Sequence, residues 1–270
     1  MTQACGPIGV FDSGIGGLTV VRALMERLPC EDVLYFGDTA RVPYGIKSVA
    51  TIRRFTGEIT RFLLQRDVKM LIIACNTMAA VAADVVREQA GAVPVLDVID
   101  AGARAAVAQS AARRIGVIAT PTTINSNAYA QRIHALDAGT RVVSAACPLF
   151  VPLVEEGWLD HPVTRMTARE YLKPLLAEDI DSLVLGCTHY PLLKPLLRRV
   201  AGAGVELVDS ATTTAEQAAH CLQARGMARG SGVPQHRFCV TDVPLRFQTI
   251  GERFLGRAFG PVVRVEGVFD

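Results

Sequence analysis

Leu71-Ile72-Ile73-Ala74-Cys75-Asn76-Thr77 is a short apolar run that ends in a cysteine and a polar pair, and Leu183-Val184-Leu185-Gly186-Cys187-Thr188-His189 repeats its form later in the chain. Buried strands of parallel sheets read as continuous apolar runs, whereas half-exposed strands alternate. Each stretch therefore predicts a central strand whose carboxyl end delivers a thiol. Other runs match in the same way. Ile8-Gly9-Val10-Phe11-Asp12-Ser13 has a counterpart in Ile115-Gly116-Val117-Ile118-Ala119-Thr120, and Val95-Leu96-Asp97 has one in Leu207-Val208-Asp209. The pairs Cys75/Cys187 and Asp97/Asp209 share one offset, 112 positions. Segments of helical period lie between the runs, at 18–28, 52–65, 79–89, 101–112 and 165–176. Strands alternating with helices predict an α/β fold with mostly parallel sheets. The shared offset predicts two similar domains related by a pseudo-twofold axis. Ligands of open α/β sheets bind outside the carboxyl ends of the strands, so an interdomain cleft would receive both cysteines.

The expected division is a discontinuous first domain, 1–98 plus 209–270, and a second domain, 99–208. The returning tail should supply a helix over 213–225, a link over 226–235 and a strand over 237–241, packed on the first domain. The 270 residues are 50% hydrophobic, 20% charged and 6% aromatic, a balance that excludes low complexity and disorder for most of the chain. Two cores of this size need no metal or disulfide staple. With 28 Lys+Arg against 26 Asp+Glu the net charge is +2, so no broad basic field invites nucleic acid or anionic lipid, while a small anionic substrate still fits. The most apolar region, 70–86, is interrupted by Asn76, Thr77 and Asp84 and falls short of a membrane span. No basic segment precedes a long apolar one at the N-terminus, so a cytoplasmic location is expected.

Seven cysteines, Cys5, Cys30, Cys75, Cys147, Cys187, Cys221 and Cys239, are odd in number and widely spaced, which suits free thiols in a reducing compartment. No Cys-x-x-Cys occurs and His134, His161, His189, His220 and His236 are scattered, so no metal site is expected. Gly14-Ile15-Gly16-Gly17 suggests a dinucleotide turn, but Thr19 occupies the position of the third glycine; the run reads instead as a tight turn allowing close backbone approach to a substrate. A pyridoxal phosphate enzyme needs a lysine Schiff base, and Lys47, Lys69, Lys173 and Lys194 all lie away from the strand-end motifs. No cofactor is expected.

A buried cysteine is ordinarily a small hydrophobe, and five of the seven read that way. Cys75 and Cys187 differ because they occupy equivalent places, each ahead of a helix whose first N–H groups favour a thiolate. Two activated thiols in one cleft suit inversion of a stereocentre, where one group removes a proton from one face of a carbon and the other delivers a proton to the opposite face.

Six stretches carry a resemblance: Gly9-Val10-Phe11-Asp12-Ser13-Gly14-Ile15-Gly16-Gly17-Leu18, Gly37-Asp38-Thr39-Ala40-Arg41-Val42-Pro43-Tyr44-Gly45, Ala74-Cys75-Asn76-Thr77, Ala119-Thr120-Pro121-Thr122-Thr123, Val154-Glu155-Glu156-Gly157 and Gly186-Cys187-Thr188-His189-Tyr190-Pro191. In this order, and over essentially the whole chain, they resemble the cofactor-independent aspartate/glutamate racemase family. The resemblance implies interconversion of L- and D-glutamate without pyridoxal phosphate or metal, in supply of D-glutamate for peptidoglycan, by a homodimer. It implies that Cys75 abstracts the α-proton of D-glutamate and Cys187 that of L-glutamate. It also implies that Asp12 assists the Cys75 side and binds substrate with Ser13. Pro43, Tyr44 and Gly45 would form a loop over the distal carboxylate, and Thr120 and Thr123 would complete a carboxylate site from the second domain.

Beside the thiols, Asn76, Thr77 and Thr188 offer amide and hydroxyl groups suited to an amino acid, or they simply cap helices. His189 and Glu155 are the expected helpers of Cys187, since an imidazole promotes ionisation of an adjacent thiol; Glu156 competes with Glu155 for that place. Asp12 as the N-cap of the following helix is the structural alternative. A racemase for aspartate or another amino acid, and a binding or regulatory protein that retains the cleft, are the competing functions.

Overall fold

The structure, a computed structural model, describes residues 6–243, 247–258, 260 and 262–265; Cys5 lies outside them. The first half runs β1 (Ile8–Asp12), α1 (Leu18–Arg27), β2 (Val33–Gly37), α2 (Val49–Leu64), β3 (Met70–Ile73), α3 (Asn76–Ala90), β4 (Val95–Asp97) and α4 (Val98–Gln109). The second runs β5 (Arg114–Ala119), α5 (Pro121–Asn125), α6 (Ala128–Leu136), β6 (Arg141–Ala146), α7 (Phe150–Glu155), α8 (Pro162–Leu176), β7 (Ser182–Gly186), α9 (Lys194–Ala201), β8 (Glu206–Val208) and α10 (Ser210–Ala224). The tail adds β9 (Arg237–Val240), α11 (Phe247–Leu255) and β10 (Val262–Arg264).

The strands form two sheets, ordered β10-β9-β2-β1-β3-β4 and β6-β5-β7-β8. Among the described residues every strand pair is parallel. The apolar runs are as they are because β1, β2, β3 and β7 are buried along their whole length, with helices on both faces. The fold is α/β. Removing β9 and β10 from the first sheet leaves the order β2-β1-β3-β4, and the second sheet repeats it as β6-β5-β7-β8. The repeated runs thus mark one topology used twice.

In each sheet the connections leave in opposite directions from the pair β1/β3 or β5/β7. Such a switch point opens a crevice at the carboxyl ends of the two strands. β1 and β3 pair from Ile8↔Met70 to Phe11↔Ile73, so they release Asp12-Ser13 and Ala74-Cys75 side by side. β5 and β7 pair up to Ala119↔Gly186 and release Thr120 beside Cys187.

Helices begin earlier than periodicity indicates where a cap is present. Asp97 accepts from the N–H groups of Ile99 and Asp100, so α4 starts at Val98, three residues before the apolar period; Asp209 accepts from Ala211 and starts α10 at Ser210. α10 packs on α1, and β9 pairs with β2 from Leu34↔Arg237 to Gly37↔Val240. Among the described residues no helix is long and apolar enough to cross a membrane.

Candidate active site

Both switch points open onto one cleft of about 530 Å³. From the first sheet it takes Ser13, Cys75, Asn76 and Thr77, and the loop after β2 adds Pro43, Tyr44 and Gly45. From the second it takes Thr120, Glu155, Cys187, Thr188 and His189. Asp12 and Thr123, the other two expected site residues, are each 1% exposed and stand behind the wall. Asp12 is not the N-cap of α1, whose cap position is Gly17 without a side-chain bond. Its Oδ2 accepts from Gly14 N at 2.9 Å, shaping the turn, and its Oδ1 has no partner among the described residues. Burial raises its pKa despite the N–H of Gly14 and the charge of His189.

Cys75 occupies the N-cap position of α3, with Sγ 3.5 Å from Ser13 Oγ. Contrary to the expected thiolate, its pKa is pushed up to about 12, first by burial and then by the negative charge of Asp12. The Ser13 hydroxyl and the backbone N–H groups of Met78 and Ser13 pull the other way and do not compensate. The helix N-terminus is outweighed by desolvation, which keeps Cys75 a thiol.

The Cys187 side is built differently. His189 Nδ1 lies 3.9 Å from Cys187 Sγ, and His189 Nε2 donates to Glu155 Oε1 at 3.0 Å. Burial alone would lower the histidine pKa, but the hydrogen bonds and negative charges of Cys187 and Glu155 prevail and hold it up at about 10. Glu155 ends α7 and lines the cleft, while Glu156 is exposed beyond it. The glycine turn serves this side. A Cβ on Gly16 would lie 2.1 Å from Thr188 Oγ1 and 2.7 Å from His189 Nδ1, so only glycine lets the second sheet's strand end approach the first sheet's turn.

Polar groups line the space between the thiols. Thr77 Oγ1 is 3.1 Å from Thr120 Oγ1 and 3.5 Å from Thr123 Oγ1, and the latter two are 3.2 Å apart, so hydroxyls from both halves satisfy one another across the cleft. Tyr129 donates to Asn76 Oδ1 at 2.7 Å, leaving the buried Asn76 Nδ2 donor without a partner among the described residues. Tyr44 donates to Asp38 Oδ2, and Thr122 Oγ1 donates to the Gly45 carbonyl at 2.8 Å. Asp38 and Tyr129 were not singled out by the sequence. Asp38 follows β2 and was findable as a strand-end carboxylate, whereas Tyr129 carries no local signal.

Residues 9–218 match the family model described as Asp/Glu/Hydantoin racemase. The glutamate racemase of Syntrophus aciditrophicus (strain SB) is 66% identical over 261 residues, 96% of each chain. The crystal structure of glutamate racemase from Francisella tularensis subsp. tularensis SCHU S4 in complex with D-glutamate superposes with a TM-score of 0.93 at 44% identity, covering 97% of this chain and 98% of that one. A glutamate racemase isoform from Bacillus anthracis superposes with a TM-score of 0.94 at 40% identity, covering 99% and 100%. The fold and its cleft are thus those of an isomerase that inverts a stereocentre. The chain belongs to the Asp/Glu/Hydantoin racemase family.

Proposed function

We propose that the protein interconverts L- and D-glutamate by proton transfer at Cα between Cys75 and Cys187, without metal or organic cofactor. The observation that carries this reading is the placement of one cysteine at the switch point of each duplicated sheet, both open to one cleft. High identity to glutamate racemases over nearly the whole chain supports glutamate as the substrate. The Cα–H of an amino acid is a very weak acid, so donors around the carboxylate and exclusion of water have to lower the barrier. The Asn76 Nδ2 group and the hydroxyls of Thr77 and Thr120 are such donors, and Ser13, Thr188 and the loop of Pro43, Tyr44 and Gly45 hold the rest of the substrate. Thr123 supports the threonine hydroxyls from behind, and Asp12 supports the Cys75 side.

In the L to D direction Cys187 takes the α-proton, its charge balanced by the His189 imidazolium that Glu155 holds. The Cys75 thiol then delivers a proton to the opposite face. Burial, which keeps Cys75 protonated, suits it to start as the acid. The reverse direction exchanges the roles. We further assign residues 1–98 plus 209–270 and residues 99–208 to the two domains, and place the enzyme in the cytoplasm as a homodimer supplying D-glutamate for peptidoglycan.

Incubation with L-glutamate in D2O without added cofactor is expected to yield D-glutamate deuterated at Cα, with kcat/KM far below this for L-aspartate. Absence of exchange from either enantiomer overturns the proposal. Cys75→Ser and Cys187→Ser should each abolish racemisation. Rescue of a D-glutamate-requiring bacterium by the gene tests the peptidoglycan role.

A further inference from the structure

α11 packs on α1 and reaches the histidine side of the cleft. Phe254, 1% exposed, meets the His189 ring edge-on, with centroids 4.9 Å apart and planes at 76°. Its neighbour Arg253 donates from Nη1 to the carbonyls of Val154 at 3.2 Å and Glu155 at 3.4 Å. These carbonyls lie in the last turn of α7; that of Val154 also accepts from Gly157 N at 3.0 Å, and Arg253 adds a side-chain donor that reaches both. A guanidinium there also meets the negative end of the peptide dipoles. Gly157 permits the approach: its φ is +80°, and a Cβ on it would lie 3.0 Å from both terminal nitrogens of Arg253.

We infer that Arg253 and Phe254 are positioning residues for the Glu155–His189 pair, Arg253 fixing the backbone from which the Glu155 side chain departs and Phe254 fixing the plane of the imidazole. Glu155 has reason to need this. Its side chain is 44% exposed and sits at the end of a helix of six residues, so its own surroundings do little to hold the 3.0 Å bond to His189. Among the described residues, the charged and titratable groups facing His189 are Cys187 on its own segment, Glu155 from α7 and Asp12 from the end of β1. Of these, Glu155 is the one whose backbone Arg253 holds, so loss of Arg253 reaches the imidazole through Glu155. The inference rests on the role proposed above for the Glu155–His189 pair beside Cys187.

The test is the pH profile of kcat/KM together with isotope effects for glutamate deuterated at Cα. Arg253→Ala is expected to lower kcat roughly three- to tenfold, the scale of one positioned hydrogen bond, with little change in KM. The alkaline limb, set by loss of the His189 proton near 10, should move to lower pH. Proton transfer at Cys187 then becomes the slower step, so the isotope effect should rise from L-glutamate and fall from D-glutamate. Arg253→Lys should restore part of each change, and Phe254→Leu should show the same asymmetry. Glu155→Gln should move the limb in the same direction, and adding Arg253→Ala to it should move it no further. If the Glu155→Gln limb moves and that of Arg253→Ala does not, or if their shifts add in full, the anchoring is overturned alone. An unmoved Glu155→Gln limb overturns the assignment of the pair, and this inference with it.

Discussion

Cys75 and His189 are both buried polar groups that hold a proton more firmly in the folded chain than they would in water, for different reasons. The thiol keeps its proton because burial and Asp12 disfavour the anion. The imidazole keeps its proton against burial, because Cys187 and Glu155 supply negative charge within reach. Both make stability depend on alkalinity in the same sense. For His189 the ordinary value is 6.5 and the folded value about 10, so its contribution is complete below pH 6.5 and is lost as pH rises to about 10. For Cys75 the corresponding window runs from 9 to about 12. Urea midpoints measured between pH 6.5 and 10 are therefore expected to fall with rising pH. His189→Gln should flatten that fall, whereas Cys75→Ala should change only the part above pH 9. An unchanged slope in His189→Gln would place the titrating group elsewhere.

The loop between β2 and α2 is the element that shapes the cleft from outside the switch points. Its anchor is Asp38, fully buried, which accepts from Tyr44 Oη, from Arg41 Nε at 2.7 Å and from Thr241 Oγ1 at 3.0 Å. Arg41 continues to Glu58 on α2 at 2.5 Å and lies over the Phe55 ring at 3.7 Å. One carboxylate thus joins the loop to a helix and to the segment after β9. Asp38→Asn keeps the shape but removes the charge from bonds worth about 1.5–3 kcal/mol each, so KM for glutamate is expected to rise about tenfold or more, with a smaller change in kcat. A KM equal to the parent's would show that the loop holds without its anchor. This network also shows where sequence reading stops. Cys75 and Cys187 were legible because a buried parallel strand is an apolar run, and the end of the run marks the end of the strand. Asp38 is recognisable in the sequence as a carboxylate at a strand end, but its role as the loop's anchor shows only in the fold, because its partner Thr241 lies 203 residues away. Arg253 and Phe254 acquire theirs only through the return of α11. Glu155 could be separated from Glu156 only once α7, too short to show a period, had an end.

At the scale of the whole molecule the second repeated pair, Asp97 and Asp209, has a different meaning from the cysteines that share its offset. Each caps the helix that follows the last strand of its sheet, and each capping carboxylate also takes a cation: Arg87 at 2.5 Å for Asp97, Lys194 at 3.1 Å for Asp209. The helices they start leave their own half. α4 packs on α6 and β7 of the second half, α10 packs on α1 of the first, and the two pack on each other. The halves are therefore joined by a reciprocal exchange of helices, and the twin aspartates stand where the chain crosses. Their carboxylates serve helix ends and do not line the cleft, so their loss should weaken the fold and spare the chemistry. Asp97→Ala and Asp209→Ala are each expected to cost about 1 kcal/mol, a fall in Tm of roughly 2–4 °C for a chain of this order of size. Asp97→Asn should recover most of it, since asparagine caps as well as aspartate, and kcat/KM should stay within about twofold of the parent at temperatures where the variants are folded, that being under 0.5 kcal/mol. The double alanine variant tests the exchange itself. If α4 and α10 support each other across the crossing, its loss of Tm will exceed the sum of the single losses, because removing one cap loosens the surface on which the other helix packs. Simple additivity would mean that each cap serves its own half alone, and a large loss of activity at unchanged Tm would move the aspartate from the crossing into the reaction.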